Sequence, residues 1–200
     1  MNINNFLHSG FKFTGEENLL QFKFKMLNSI FIIVAFFSVL FGLLSDLSIN
    51  DIGPVHSKVN YVYSFLTILL ILFLRFSKKN YNPTAYSLLI ISLMTFTSAL
   101  IFVPQDEFRM IWFYLLVFVA YMISSKMIGL LCTLASIVII LAVNFFVDLQ
   151  LSSVAINSGI LGLIIGSFLS YIYTDKINST ESNLNGSIIK KCDCPAGPVK

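Results

Sequence analysis

Six runs of apolar residues, separated by short polar stretches, carry most of the chain: 26–44, 59–76, 83–103, 110–125, 127–146 and 154–173. The runs are continuous and do not alternate with polar residues, so they predict helices and argue against a β-barrel. Most have about the 20 residues needed to cross ~30 Å of hydrocarbon. The fourth is short, and Arg109 and Lys126 bracket it. Both side chains can snorkel toward the interface and extend its reach.

Polar patterning defines the two ends. In the leader, residues 1–25, Thr14-Gly-Glu-Glu17 matches a capping box. Leu19, Leu20, Phe22 and Phe24 then interleave with Gln21, Lys23 and Lys25. That pattern predicts a short amphipathic helix at a membrane surface, running into the first span. Residues 174–200 are polar and rich in Asn and Ser, and they close on an aperiodic Cys192-Asp-Cys194-Pro stretch. They predict a disordered cytosolic linker. The expected fold class is all-α: a polytopic membrane protein, a six-helix transmembrane bundle over 26–173 with an amphipathic leader.

Composition sharpens this picture. The chain is 56% hydrophobic and 12% charged, with 20 Phe and 8 Tyr, and its mean hydropathy is +0.84. A soluble domain of this size has too little interior for that apolar surface. No basic run is dense enough for nucleic acid. The first apolar run is too long for a signal-peptide core and lacks a small-residue cleavage site.

Charge sets the expected orientation. With the N-terminus in the cytosol, the inner segments hold Lys12, Lys23, Lys25, Arg75, Lys78, Lys79, Lys126, Lys176, Lys190, Lys191 and Lys200. The outer loops hold only Lys58 and Arg109. The positive-inside rule therefore places both termini in the cytosol and requires an even number of spans. The connecting loops are too short to hold a soluble domain.

Candidate chemistry is sparse. There is no nucleophile–base pairing, phosphate loop or metal-ligand spacing, so no catalytic residue, metal or cofactor is expected. His8 and His56 stand alone, and His56 is expected to be a solvated residue of the first outer loop. Cys132 lies within an apolar span as a small packing residue. Cys192 and Cys194 without further ligands make a weak metal pair and are assigned no role. No ionisable residue sits mid-span, which disfavours a pump or proton-coupled carrier.

Two constellations stand out. The second outer loop gathers Asp106, Glu107, Arg109 and Trp112. One reading is a turn with an interfacial tryptophan anchor. The other is a small extracytoplasmic site for a cue, with Arg109 pairing to a carboxylate and Trp112 lining a pocket. In the last span Ser158, Gly162, Gly166 and Ser170 recur every four residues, and Gly162–Gly166 is a GxxxG. This stripe of small residues predicts close helix–helix packing, either within the chain or across a homodimer.

The leader Phe11-Lys-Phe-Thr-Gly-Glu-Glu-Asn-Leu-Leu-Gln-Phe-Lys-Phe-Lys-Met-Leu-Asn28, followed by six spans, resembles the membrane sensor regions of bacterial diguanylate cyclases carrying GGDEF domains, and of related sensor histidine kinases. The outer turn Pro104-Gln-Asp-Glu-Phe-Arg-Met-Ile-Trp112 resembles them too. The resemblance implies a multi-pass protein of the bacterial cytoplasmic membrane. It would be a homodimer that passes an unknown small-molecule or physical cue through its last helix to cyclic-di-GMP synthesis or histidine phosphorylation. The chain carries no Gly-Gly-Asp-Glu-Phe and no phospho-acceptor histidine motif, so it is expected to be catalytically silent, its partners being the lipid bilayer and a second copy. The alternatives are a small self-contained transporter or channel-like protein, and an assembly protein that binds other membrane proteins.

Overall fold

The computed structural model describes residues 6–14, 17–50, 52–104, 106, 108–147 and 151–192. These are helical, with no strand among the described residues: α1 Asn18–Asp46, α2 Pro54–Leu74, α3 Tyr81–Phe102, α4 Ile111–Ile123, α5 Lys126–Val147 and α6 Ser153–Cys192. Five helices are long and apolar enough to cross a membrane, and α4 is the shorter sixth. Contacts between their ends show that they run alternately up and down. At the end shared by the leader, the Tyr81 hydroxyl opening α3 donates to the Ile123 carbonyl closing α4 (2.6 Å). There too, Lys126 at the start of α5 pairs with Asp175 of α6. At the far end, Ser57 early in α2 donates to Asp46 at the close of α1 (3.1 Å), and Tyr114 early in α4 donates to the Gly159 carbonyl early in α6 (2.6 Å).

Local chemistry sets the boundaries. The Glu17 carboxylate accepts from the Thr14 amide (3.1 Å), one half of the capping box, and α1 starts at the next residue. α2 starts five residues earlier than the apolar run. Gly53 adopts φ +74° and Pro54 occupies the first turn, where a fixed φ and a missing N–H are no handicap. This corrects the reading of His56, which is a buried residue of α2. Pro104 follows the end of α3. α6 runs 40 residues, through the segment expected to be a disordered linker. Once the apolar part has nucleated the helix, each further residue adds a hydrogen bond, and no proline intervenes before Pro195. Cys194 lies outside the described residues.

The bundle mixes small polar side chains into its apolar core and is apolar on the outside. Large apolar side chains such as Phe36, Phe65, Phe145, Phe168 and Leu169 are exposed, while Ser64, Thr67, Thr84, Thr133, Ser136 and Ser167 are buried. Many of these hydroxyls satisfy themselves on the carbonyl four residues back, as Thr67 does on Tyr63 (2.8 Å) and Thr84 on Asn80 (2.6 Å). An apolar outer surface over an interior whose hydroxyls mostly bond within their own helices suits lipid as the solvent.

The stretch 19–25 of the leader is helical and runs into the first span as the opening turns of α1. Residues 6–14 fold back beneath the bundle, turning at Ser9 and Gly10, both with positive φ. The buried Asn28 amide donates to the Leu7 carbonyl (2.9 Å) and the Ser9 hydroxyl (2.9 Å). Phe11 and Phe13 pack their rings on Phe24. Arg75 lies over Phe6 (4.2 Å) and Lys78 over Phe13 (4.5 Å), cation–π contacts that tie the ends of α2 and α3 to the hook. Phe24, Leu27, Leu74, Tyr81 and Ile123 seal this end of the bundle.

Candidate functional site

α4 decides what the far end looks like. Thirteen residues rise about 20 Å, less than its neighbours, so the α3–α4 connection dips into the bundle. Arg109 is buried there and its guanidinium donates to the Val103 carbonyl at the end of α3 (3.0 Å). Burial pulls its pKa down, and the charge of Asp106 opposes that. Beside the dip lies a cavity of about 760 Å³ between α1, α2, α3 and α4, within the usual size range of small-molecule sites.

Each wall has its own character. α1 supplies Ile30, Val34, Phe37, Ser38 and Phe41, and α4 supplies Ile111, Trp112, Leu115, Leu116 and Val119. α2 and α3 form the floor and bring the polar groups: His56, Asn60 and Tyr63 from one, Ser92 and Thr95 from the other. The His56 ring nitrogen Nδ1 is 3.2 Å from the Ser98 hydroxyl, and the Tyr63 and Ser92 hydroxyls are 2.5 Å apart. Trp112 stacks on Phe96 (5.7 Å) and meets Phe41 edge-on (6.1 Å), so one ring links α1, α3 and α4 across the cavity.

The candidate cue residues separate. Asp106 and Trp112 line the cavity. Arg109 does not line it, and its hydrogen bond to Val103 serves the connection. Glu107 lies outside the described residues. The sequence reading missed His56, Asn60, Tyr63, Ser92 and Thr95. The signal was present: His56, Asn60, Tyr63 and Thr67 are spaced by four, three and four in an otherwise apolar helix, one face of a 3.6-residue period.

The small-residue stripe of α6 meets α4 of the same chain. A Cβ on Gly162 would stand 2.5 Å from the Tyr114 hydroxyl, and one on Gly159 would collide with Met110. Gly166 faces the same Tyr114 ring at 4.0 Å. Ser170 is buried and donates to the Gly166 carbonyl (2.8 Å), while Ser158 is exposed. The stripe at Gly162 is thus filled within the chain by Tyr114. One turn on, Ser167 sits 2.9 Å from both the Tyr121 hydroxyl of α4 and Thr133 of α5.

The fold and the cavity define the class: a helical membrane protein with a pocket in one half of its bundle. In comparisons with known proteins, the chain matches no family model, no curated protein and no solved structure.

Proposed function

We propose that the chain is a six-span sensory module of a bacterial cytoplasmic membrane, which binds a cue in the α1–α4 cavity and passes the event to the cytosol through α6. One observation carries this reading. α4 lines the cavity with Trp112, Leu115 and Val119 and grips α6 from its other face through Tyr114 and Tyr121. An occupant that shifts α4 must therefore shift α6 or break those contacts. Closed packing of this kind moves between discrete arrangements rather than deforming smoothly.

The six-span topology draws support from the two ends of α4, which reach Tyr81 at the leader end and Gly159 at the far end. Lys23, Lys78 and Lys126 all make contacts at the leader end, in keeping with a cytosolic placement. The resemblance to cyclase and kinase sensor regions supplies the output class. A carrier would use the same cavity. The core of Phe24, Tyr81 and Ile123 across the leader end and the uncharged floor favour sensing.

Filling the cavity tests the reading without knowledge of the cue. The full chain is fused to an intact GGDEF cyclase domain, and Thr95→Phe and Ser92→Phe are introduced. Cyclic-di-GMP output is expected to change at least threefold in one of them. Unchanged output from both, with normal insertion and folding, overturns it. In a chain with its three cysteines replaced by serine, impermeant thiol reagents should label Lys58→Cys from outside and spare Lys79→Cys.

A further inference from the structure

We infer that the cavity takes a neutral, elongated amphiphile that enters sideways from the outer half of the bilayer. The inference deepens the sensing reading by naming the chemical class of the cue.

The register of the helices brings the polar groups to one level. Ser57 donates to the Gly42 carbonyl (3.5 Å) and Ser64 to the Ala35 carbonyl (3.1 Å), so Asn60 lies within one residue, about 1.5 Å, of the level of Ser38. His56 with Ser98 and Tyr63 with Ser92 bracket Asn60 against Thr95 in the same way. Ser38 and Asn60 are each 7% exposed and both line the cavity. Neither side chain has a hydrogen-bond partner among the described residues, although every other helix-borne hydroxyl on the floor has one. An unpaired amide and hydroxyl that face a cavity in a membrane protein are satisfied by water or, better, by a matching group of the occupant. The Asn60 amide offers both a donor and an acceptor, which suits an alcohol, amide or ester head group.

Charge disfavours the anionic lipids. Among the described residues Asp106 is the carboxylate on the wall, and no described lysine or arginine lines it. A fatty carboxylate or phosphate would meet that carboxylate, while the nearby Arg109 already bonds the Val103 carbonyl and faces the charge of Asp106. Shape then selects a chain. Below the Ser38–Asn60 level the walls are Ile30, Leu88, Leu116 and Val119, and Ile30 lies about 12 Å deeper along α1 at 1.5 Å per residue.

The entrance faces the lipid. Ile33 and Phe37 of α1 and Ile111 and Leu115 of α4 line the cavity while each is about half exposed. These four apolar side chains frame a slot between α1 and α4 on the outer surface of the bundle. A solute arriving through that slot comes from hydrocarbon.

Two photoactivatable diazirine probes of equal chain length, a 16-carbon alcohol and the matching carboxylate at pH 8, are presented to the full chain in nanodiscs. Saturable labelling of α1 or α4 by the alcohol, at least fivefold above the carboxylate and competed by unlabelled hexadecanol, is expected. Asn60→Leu and Ser38→Ala should each cut it at least threefold. Equal labelling by both probes, labelling that does not saturate, or labelling indifferent to both substitutions overturns the inference. The alcohol–carboxylate comparison needs no variant, so it decides the matter even where Asn60→Leu fails to fold. Saturable alcohol binding with no change in cyclase output from the fusion would remove the sensing reading and leave the amphiphile site standing. A cavity-filling effect on output without alcohol binding would do the reverse.

Discussion

The two faces of α4 are built on opposite principles. Toward α5 and α6, small residues admit aromatic rings, and the buried hydroxyls of Tyr121, Thr133, Ser136, Ser167 and Ser170 are hydrogen-bonded. Gly162 and Gly159 leave room for Tyr114 and Met110, Gly129 receives the face of Tyr121, and Tyr121, Thr133 and Ser167 share one hydrogen-bonded cluster. Toward α1, the same helix faces a space of about 760 Å³, where Asn60 and Ser38 have no partner among the described residues. Close approach and interhelical hydrogen bonds make this face a tight seam. Open volume with unspent polar groups leaves the other face room for the occupant proposed above. A short helix between them belongs to both.

The comparison can be broken at the seam first. A Cβ on Gly129 would meet Tyr121 ring atoms at 2.5 Å, and that ring is held by its hydroxyl. Gly129→Ala is expected to cost about 1–3 kcal/mol through overpacking, read as a loss of unfolding free energy in mixed micelles. A neutral result would mean that the ring swings freely and the seam is loose.

On the cavity side the sign should reverse. Asn60→Leu removes an amide that has no partner among the described residues, so stability is expected to rise by about 1 kcal/mol or stay level. A loss comparable to that of Gly129→Ala would show that the cavity is as tightly organised as the seam.

Tyr121→Phe sharpens the contrast more gently. It deletes one interhelical hydrogen bond, and such bonds average about 0.6 kcal/mol in membrane bundles. Rotation of α6 should become easier in the same measurement, seen as broader spin-label distances between Lys58→Cys and Asp175→Cys.

The smallest effect concerns the leader hook, remote from both faces. Glu17 accepts from Lys78 at 2.7 Å and from the Thr14 amide, and these bonds hold its carboxyl below the ordinary value of 4.5. A carboxyl lowered in the folded state stabilises above its unfolded-state pKa, and that contribution disappears as pH falls through the folded value. Amides of residues 6–14 should therefore exchange faster at pH 3.5 than expected from their behaviour at pH 7, and Glu17→Gln should erase the difference. The pair is about a third exposed, so the change should be slight.

Much of the architecture was legible. Continuous apolar runs fixed the helices, because a span must satisfy its backbone internally whatever its neighbours do. Pro104 and the capping-box Glu17 marked boundaries through local sterics and hydrogen bonds. The site was legible only in part. Trp112 and Asp106 attracted attention as rare residue types, and both reach the cavity. Arg109 attracted it for the same reason, yet its donor goes to a backbone carbonyl, a choice made by the dip of the connection. His56 was misplaced because Gly53 and Pro54 extend α2 beyond the apolar run, and hydropathy does not register helix made of polar residues.

By itself the sequence determined the helices, the small-residue stripe on α6 and the asymmetry of basic charge, since each depends on spacing along one chain. The tertiary structure decided which surfaces the spacing serves. Only packing shows that Gly162 admits Tyr114 of the same chain, that Asn60 and Ser38 arrive at one level, and that a thirteen-residue α4 leaves a cavity beside it. Those outcomes depend on the relative height of neighbouring helices. Height is set by ridges meeting grooves across the bundle, and no single helix encodes it.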